Sequence, residues 1–522
     1  MNASYDSRTD PQALFTTAGD LLAQTCQRLQ SGDLMCAHHD EVERFAVGQG
    51  RLIVNSLLRD HFALRGFAQP VAPVVGMDGC ERTHRRDDTE RQLITTVGPV
   101  PVVRSAFGGR GLGALHPTDA QLNLPASAYS FELRRKVAAV AAEESFERTV
   151  RQVEMFTGVH IGLRQIEELT QKSACDFKAF YAHESTGFIG KVTSDILVLT
   201  ADQKGVVMRK ESLRDATRER AESATHDLAS RLTKGEKRDC KRMATVAAVY
   251  TVAPHVRTGA EVVAGLRRLK AVPAVDRPKP PRPEFKRVWA SVADDMPEVI
   301  AEMFADAFRR DPDRSKRWLV LVDGCPRLER AVRAEAKRLG VEVTLVLDFI
   351  HALEYLWRAG HALEKEGSKE LEAWVLDRLE LLLAGKAADV AAGMRRSATL
   401  RELTAKQRMP IDKSADYLLK RKDMMQYDHL LKIGAPIASG VIEGTCRSLV
   451  NDRLDLTGAR WSTPGAEAVL RLRAVIRSGD WDAYWTFHTG VEYQNNHAST
   501  YARCEPPAVA LPKIGRHLRS VS

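Results

Sequence analysis

Membrane-length apolar runs, paired cysteines and nucleotide-binding loops are all missing from this chain of 522 residues. Without about 18 consecutive apolar residues, no transmembrane helix is expected. The opening MNASYDSRTDPQ has neither the basic flank nor the apolar core of a secretory signal. The eight cysteines (Cys26, Cys36, Cys80, Cys175, Cys240, Cys325, Cys446 and Cys504) are scattered, with no CxxC pair. That pattern predicts reduced thiols in a cytoplasmic protein. There is no GxxxxGK[ST] loop and no GxSxG elbow, and FGGRGLG does not keep the Rossmann spacing within a βαβ unit. What is present is the composition of a globular protein, 44 % hydrophobic and 28 % charged, long enough for two to four domains. The net charge of +9 is compatible with a polyanionic partner without requiring one.

Helical spacing runs through residues 12–66 and predicts two or three helices in a functionally unassigned N-terminal region, 1–80. RQLITTVGPVPVVRSAF (91–107) has β-branched runs around a Gly-Pro turn and predicts a hairpin. Helical spacing returns over 129–183. SFERTVRQVEMFTGVHIGLRQIEELTQKSA (145–174) breaks at Thr157-Gly158 and has the outline of a helix-turn-helix or of a plain helical hairpin; Arg164 and Lys172 fall on its second helix. Residues 81–185 form one region on this reading. From 186 to 350 the pattern is α/β. DILVLTAD, its possible hairpin partner KGVVMRK, MATVAAVYTV, WLVLVDG and VEVTLVLDF are the five strand candidates of a mixed sheet. ERAVRAEAKRLG predicts a helix ending at Gly340 between the last two. Insertions are expected at 203–243, basic at its end (Lys234, Lys237, Arg238, Lys241, Arg242), and at 253–316, with five prolines in VPAVDRPKPPRP. Residues 351–433 read as an all-helical insertion, 434–490 as the last part of the core, and 491–522 as a tail.

Three carboxylates stand out. Asp202 follows LVLTA and Asp323 follows LVLV, so both are expected at the ends of buried strands, where an unpaired carboxylate is costly. Either is compatible with a turn, but two strand ends converging on one crevice suit hard divalent ions. Glu443, in IASGVIEGTCRSLVNDRLDLTGARW, has apolar neighbours Val441 and Ile442 and follows a Ser-Gly turn signal. It could offset a helix dipole or complete that site. Asp348 and His351 lie three apart at a strand-to-helix junction, where Asp348 caps and His351 bonds locally, or both bind a metal.

The segments ADQKGVVM, KGEKRDCKRMATVAAVY, LVLVDG, VLDFIHALEYLW, SGVIEGTCRSLVNDRLDLTGARW and AEAVLRLRAVIRSGDWDAYWTFH occur in this order. Over about residues 85–490 they resemble the ISKra-type insertion-sequence transposases, relatives of the Mutator-like DDE transposases. The resemblance implies an RNase H-like core with an all-helical insertion, and Asp202, Asp323 and Glu443 as catalytic metal ligands. Asp348 and His351 match that group's D-x-x-H signature as supporting residues. Its members usually carry paired N-terminal cysteines; here Cys80 and His84 alone cannot fill a tetrahedral zinc site. The chain is therefore expected to cleave DNA element ends and join them to target DNA with two Mg²⁺ (or Mn²⁺) ions and without zinc. The expected partners are terminal inverted repeats and target DNA, handled by a homodimer or higher assembly. Arg164 and Lys172 would read a groove; Lys234, Lys237, Arg238, Lys241, Arg242, Arg447, Arg453 and Arg460 would contact phosphates. Trp461, Trp481, Tyr484 and Trp485 suit base stacking or, more simply, a core. A non-catalytic DNA-binding derivative and a nuclease on the same core are the alternatives.

Overall fold

β-branched, apolar runs dominate the middle of the chain, and they pair into one mixed five-stranded sheet flanked by helices. A computed structural model describes residues 14–66, 68–183, 193–225, 228, 233, 236, 238–266 and 280–510. These residues divide into two compact units, the first drawn from residues up to 176 together with 481 onward, the second from residues 177–480.

In the first unit, helices α1 (Thr16–Leu29) and α2 (His39–Gly66) precede a three-stranded antiparallel sheet. Its strands are β1 (His84–Thr95), β2 (Gly98–Gly109) and β3 (Leu112–Leu115). The expected hairpin is β1–β2, turning between the paired Thr95 and Gly98. Leu93, Val102 and Leu124 form a small core with Phe62. Helices α3 (Phe131–Glu143), α4 (Phe146–Thr157) and α5 (Leu163–Ser173) enclose a second core around Leu133, Val137, Val153, Ile166 and Leu169. Ser130 and Ser145 cap α3 and α4 through their side chains, and Gly158 ends α4 in the left-handed conformation at φ 69. The helix Trp481–Asn496 completes this unit. Tyr484 donates to the Ser173 carbonyl at 2.7 Å, and His488 meets Asp176 at 2.6 Å.

In the second unit the strands are β4 (Ile196–Val207), β5 (Lys241–Val252), β6 (Glu284–Ser291), β7 (Arg317–Val322) and β8 (Thr344–Leu347). They lie in the order β6-β5-β4-β7-β8. β4, β5 and β6 form an antiparallel meander, whereas β7 and β8 run parallel to β4. Two strand expectations need correction. KGVVMRK is not a separate hairpin partner: β4 runs unbroken to Val207, its far half paired with β5 down to Lys241. The missing strand is β6, EFKRVWAS, whose charges at Lys286 and Arg287 hide its period. Arg287 is buried because Asp306 and Glu302 neutralise it and the Tyr181 and Trp289 rings sandwich it.

Helix α6 (Met296–Arg310) opens with a capping box of Asp295 and Glu298, and α7 (Pro326–Leu339) ends at Gly340 as expected. α8 (Phe349–Gly360) leads into the helices Lys369–Leu383, Ala387–Leu400, Ala405–Lys420 and Tyr427–Lys432, with no strand between residues 351 and 433. The chain returns to the sheet through α9 (Gly440–Thr445), a π turn at Cys446–Asn451, and α10 (Thr463–Ser478). Among the described residues, no helix is long and apolar enough to cross a membrane.

Candidate active site

The register of the parallel strands builds the site. β4 pairs with β7 from Ile196–Arg317 to Thr200–Leu321, and β7 stops at Val322. Asp202 therefore lies just past the point where β4 loses its β7 partner, and Asp323 is the first residue after β7. The expectation that Asp202 ends its strand is corrected: it sits within β4, opposite Val246 of β5. Its position beside the end of β7 is what exposes one side of it.

Asp202 is a well-partnered carboxylate. Oδ1 accepts from the Gln203 N–H at 2.6 Å, while Oδ2 takes the Lys204 ammonium at 3.1 Å and the Cys446 thiol at 3.3 Å. Asp323 accepts from the Cys325 N–H at 2.8 Å. Burial holds the Asp323 carboxyl above its ordinary range; the Cys325 N–H opposes this, the Asp202 charge adds to it, and His351 pulls it back. Gly324, at φ +83, makes the turn after Asp323. Tyr417 of the helical block donates to the Asp323 carbonyl at 3.1 Å.

At the end of β8, Asp348 is fully buried and caps α8, accepting from the Ile350 N–H at 2.7 Å. Its second oxygen accepts from the Ser439 N–H at 2.8 Å and from the Ser439 hydroxyl. The capping expectation for Asp348 thus holds, and the same carboxylate ties the start of α9 to the sheet. Glu443 follows one turn later. It is exposed, although its neighbour Ile442 is buried. His351 is partly exposed, with Nδ1 3.6 Å from Glu354.

The metal expectation is overturned at this point. Among the described residues, two groups place three ligand atoms within 4.8 Å of one another: Asp348, His351 and Glu443, and separately Cys175, Asp176 and His488. Asp202 and Asp323 belong to neither group. Both sets mix nitrogen or sulfur with oxygen, the donor chemistry of zinc and other transition ions rather than of magnesium. A two-magnesium site on Asp202, Asp323 and Glu443 does not fit these residues, since Asp202 already carries the Lys204 cation. The expectation that zinc plays no part is corrected by the same donor sets. In the second group, His488 Nδ1 faces Asp176 at 2.6 Å and Nε2 faces Arg134 at 3.0 Å, so both ring nitrogens are engaged by protein.

The basic residues separate into surface and interior. Arg164 and Lys172 are exposed on α5, Arg164 paired with Glu168 at 3.0 Å. Arg447 is exposed, 3.9 Å from Asp452. Arg238 and Arg460 line an open cavity of about 800 Å³ with Arg209 and Lys210. Arg238, Lys241 and Arg242 line a second of about 850 Å³ with Arg214 and Arg327. Arg242 is committed to the Ala293 carbonyl at 3.2 Å. Arg453 is a correction: it is 2 % exposed and lies over the Trp461 ring at 4.8 Å, so it packs the interior and offers no surface to a phosphate. Trp461, Tyr484 and Trp485 are buried too, the core role. Lys234 and Lys237 lie outside the described residues.

The sequence reading missed Lys204 and Cys446 as partners of Asp202. Lys204 stands two residues along the same strand, and hence on the same face, which is a legible signal. The Cys446 contact depends on the π turn and had none. No protein-family model matches the chain, and no curated protein matches it either.

Proposed function

We propose that the chain is a DNA transposase of the insertion-sequence kind, with an RNase H-like core and Asp202, Asp323 and Glu443 as its catalytic acids. The observation that carries this reading is the sheet. An antiparallel β4-β5-β6 meander is followed by parallel β7 and β8 on the other side of β4. Asp202 and Asp323 lie beside the break between two parallel strands, where open α/β sheets hold their ligands. The resemblance in sequence supports the same assignment, and the position of α9 after a helical block agrees with it.

The reaction has two in-line displacements. A water oxygen attacks the phosphodiester at the element's end, the bond to the 3′ oxygen breaks, and a 3′-hydroxyl and a 5′-phosphate result. That hydroxyl then attacks a target phosphodiester, forming the joined strand and releasing a target 3′-hydroxyl. Asp323, its affinity for protons raised by burial, takes the proton of the attacking oxygen, and the departing 3′ oxygen takes one from solvent water. Glu443, exposed at the start of α9, orients that oxygen. A divalent ion held by Asp348, His351 and Glu443 would supply charge neutralisation at the phosphate. DNA-end recognition falls to α4 and α5, with Arg164 and Lys172 on the exposed face of the second helix, and Arg238, Lys241, Arg447 and Arg460 meet phosphates.

The test is cleavage and joining of DNA bearing candidate element ends, run across a panel of divalent cations. Asp323→Asn should abolish joined product while leaving DNA affinity within about twofold, since removing a reacting group costs rate rather than binding. Joining retained by Asp323→Asn refutes the assignment. Cleavage without any joined product makes the chain a nuclease instead.

A further inference from the structure

Two hydrogen-bonded clamps bracket Glu443. Four residues earlier, Ser439 gives its N–H to Asp348 at 2.8 Å, and its hydroxyl as well. Three residues later, Cys446 gives its thiol to Asp202 at 3.3 Å. The first clamp fastens the start of α9 to β8, and the second fastens its end to β4.

The second clamp is the unexpected one. Cys446 is 1 % exposed and begins the π turn that follows α9. A π turn admits one extra residue into a helix and re-aims the side chains around it, and such turns gather at functional sites. A buried thiol is ordinarily inert filling. This one faces a carboxylate oxygen that also receives the Lys204 ammonium at 3.1 Å. The two contacts differ in kind. The Lys204 side chain is 38 % exposed and flexible, so its attraction depends on distance more than direction. The Cys446 thiol is directional and fixed by the helix that carries Glu443. Burial, with the Asp202 charge adding to it, keeps the proton on sulfur, where it can be donated.

We propose that Cys446 is a positioning residue: its thiol sets the orientation of the Asp202 carboxylate and couples it to the placement of Glu443. The proposal rests on the reading that Asp202 and Glu443 belong to one reacting site. Asp202 cannot then rotate away from α9 without losing the thiol, and α9 cannot slide along β4 without turning Asp202. Filling a space would ask only for volume; positioning asks for a donor.

The experiment has two arms, both on the full chain. In the first, the infrared S–H band of Cys446 is isolated by subtracting the spectrum of Cys446→Ala. The band should lie below that of a thiol without an acceptor and move up in Asp202→Ala. A band indifferent to Asp202→Ala overturns the proposal, whether or not the chain acts on DNA. In the second arm, strand cleavage is compared for Cys446→Ser, Cys446→Ala and Cys446→Val. Serine, which keeps the donor, should stay within about threefold of the native kcat. Alanine and valine, which lack it, should lose about fivefold or more in kcat at unchanged KM for DNA, the worth of one hydrogen bond. Valine matching or exceeding serine overturns positioning in favour of packing. A native chain that shows the band shift yet cleaves no DNA retains the Cys446–Asp202 contact and refutes the transposase reading, so the two failures are told apart.

Discussion

Asp306 shows how single residues decide what this fold tolerates. It is 1 % exposed on α6, and its carboxylate meets Arg287 at 3.0 Å, Arg309 at 2.9 Å and Arg310 at 2.7 Å. Burial alone would raise its pKa, but the Arg310, Arg287 and Arg309 charges outweigh burial and hold it well below the ordinary 3.8. A carboxyl depressed in the folded state adds stability that is fully present above its unfolded pKa and is lost as pH falls through the folded one. Asp306→Asn should therefore cost about 3–5 kcal/mol at pH 7, as breaking a buried ionic group does. Urea titrations should show the gap between native chain and variant holding down to the ordinary carboxylate range and narrowing in stronger acid. A gap independent of pH in that range would mean that the charge contributes nothing. The same arithmetic separates this cluster from the candidate site. Asp323 is shifted upward by burial, so any stability it adds is present below its unfolded pKa and is lost as pH rises through the folded one. Asp306 belongs to the scaffold, and Asp323 has the opposite signature.

At the scale of elements, the helices were the most legible part. Gly158 and Gly340 end α4 and α7 where the period breaks, and the block after Asp348 is a run of helices joined by short turns. Strands were readable where both faces are buried, as in β5 and β7, since continuous β-branched runs leave little alternative. β6 was not, because its buried Arg287 reads as surface until its partners on α6 are known. The extent of β4 was misjudged for a related reason: Gln203, Lys204 and Gly205 look like a turn, yet pairing with Thr245, Ala244 and Met243 carries the strand through them. The candidate site was legible in its residue types and not in its contacts. Which carboxylates share a ligand group follows from the Ser439–Asp348 tie, a pairing across the helical block that spacing does not reveal. The turn after β7 gives a direct check. Gly324 has φ +83, and a Cβ there would meet the Tyr417 hydroxyl, Arg421 and Leu347. Gly324→Ala should cost about 1–3 kcal/mol in urea unfolding, the usual strain of such a position. It should also loosen the Tyr417 bond to the Asp323 carbonyl, visible as faster amide exchange at Cys325. An unchanged midpoint would show that the turn relaxes without cost.

At the scale of the whole molecule, chain order and compactness disagree. The first unit takes residues from both ends of the chain, while residues 177–480 lie between them and form the second. The return segment is integral to the first unit. His488 and Tyr484 are fully buried there, and Arg134, 2 % exposed, has Glu492 as its ion-pair partner. Cutting the chain at residue 480 strands that guanidinium without a counter-charge, a loss of about 3–5 kcal/mol before any apolar burial is counted. The second unit keeps all five strands of its sheet, together with Asp202, Asp323, Asp348, His351 and Glu443. Residues 177–480 alone should then unfold in one cooperative transition, whereas residues 1–176 alone should not. Joining 481–522 to 1–176 through a flexible glycine-serine linker should restore cooperativity, because the linker only replaces the excursion through the second unit. Calorimetry on the three fragments checks this, with amide exchange at α3 as the local readout. A cooperative transition from 1–176 alone would show the return helix to be dispensable. On the transposase reading the same fragments divide the labour. The piece spanning 177–480 would retain the acids but lose α4 and α5, so it should nick DNA without preference for element ends.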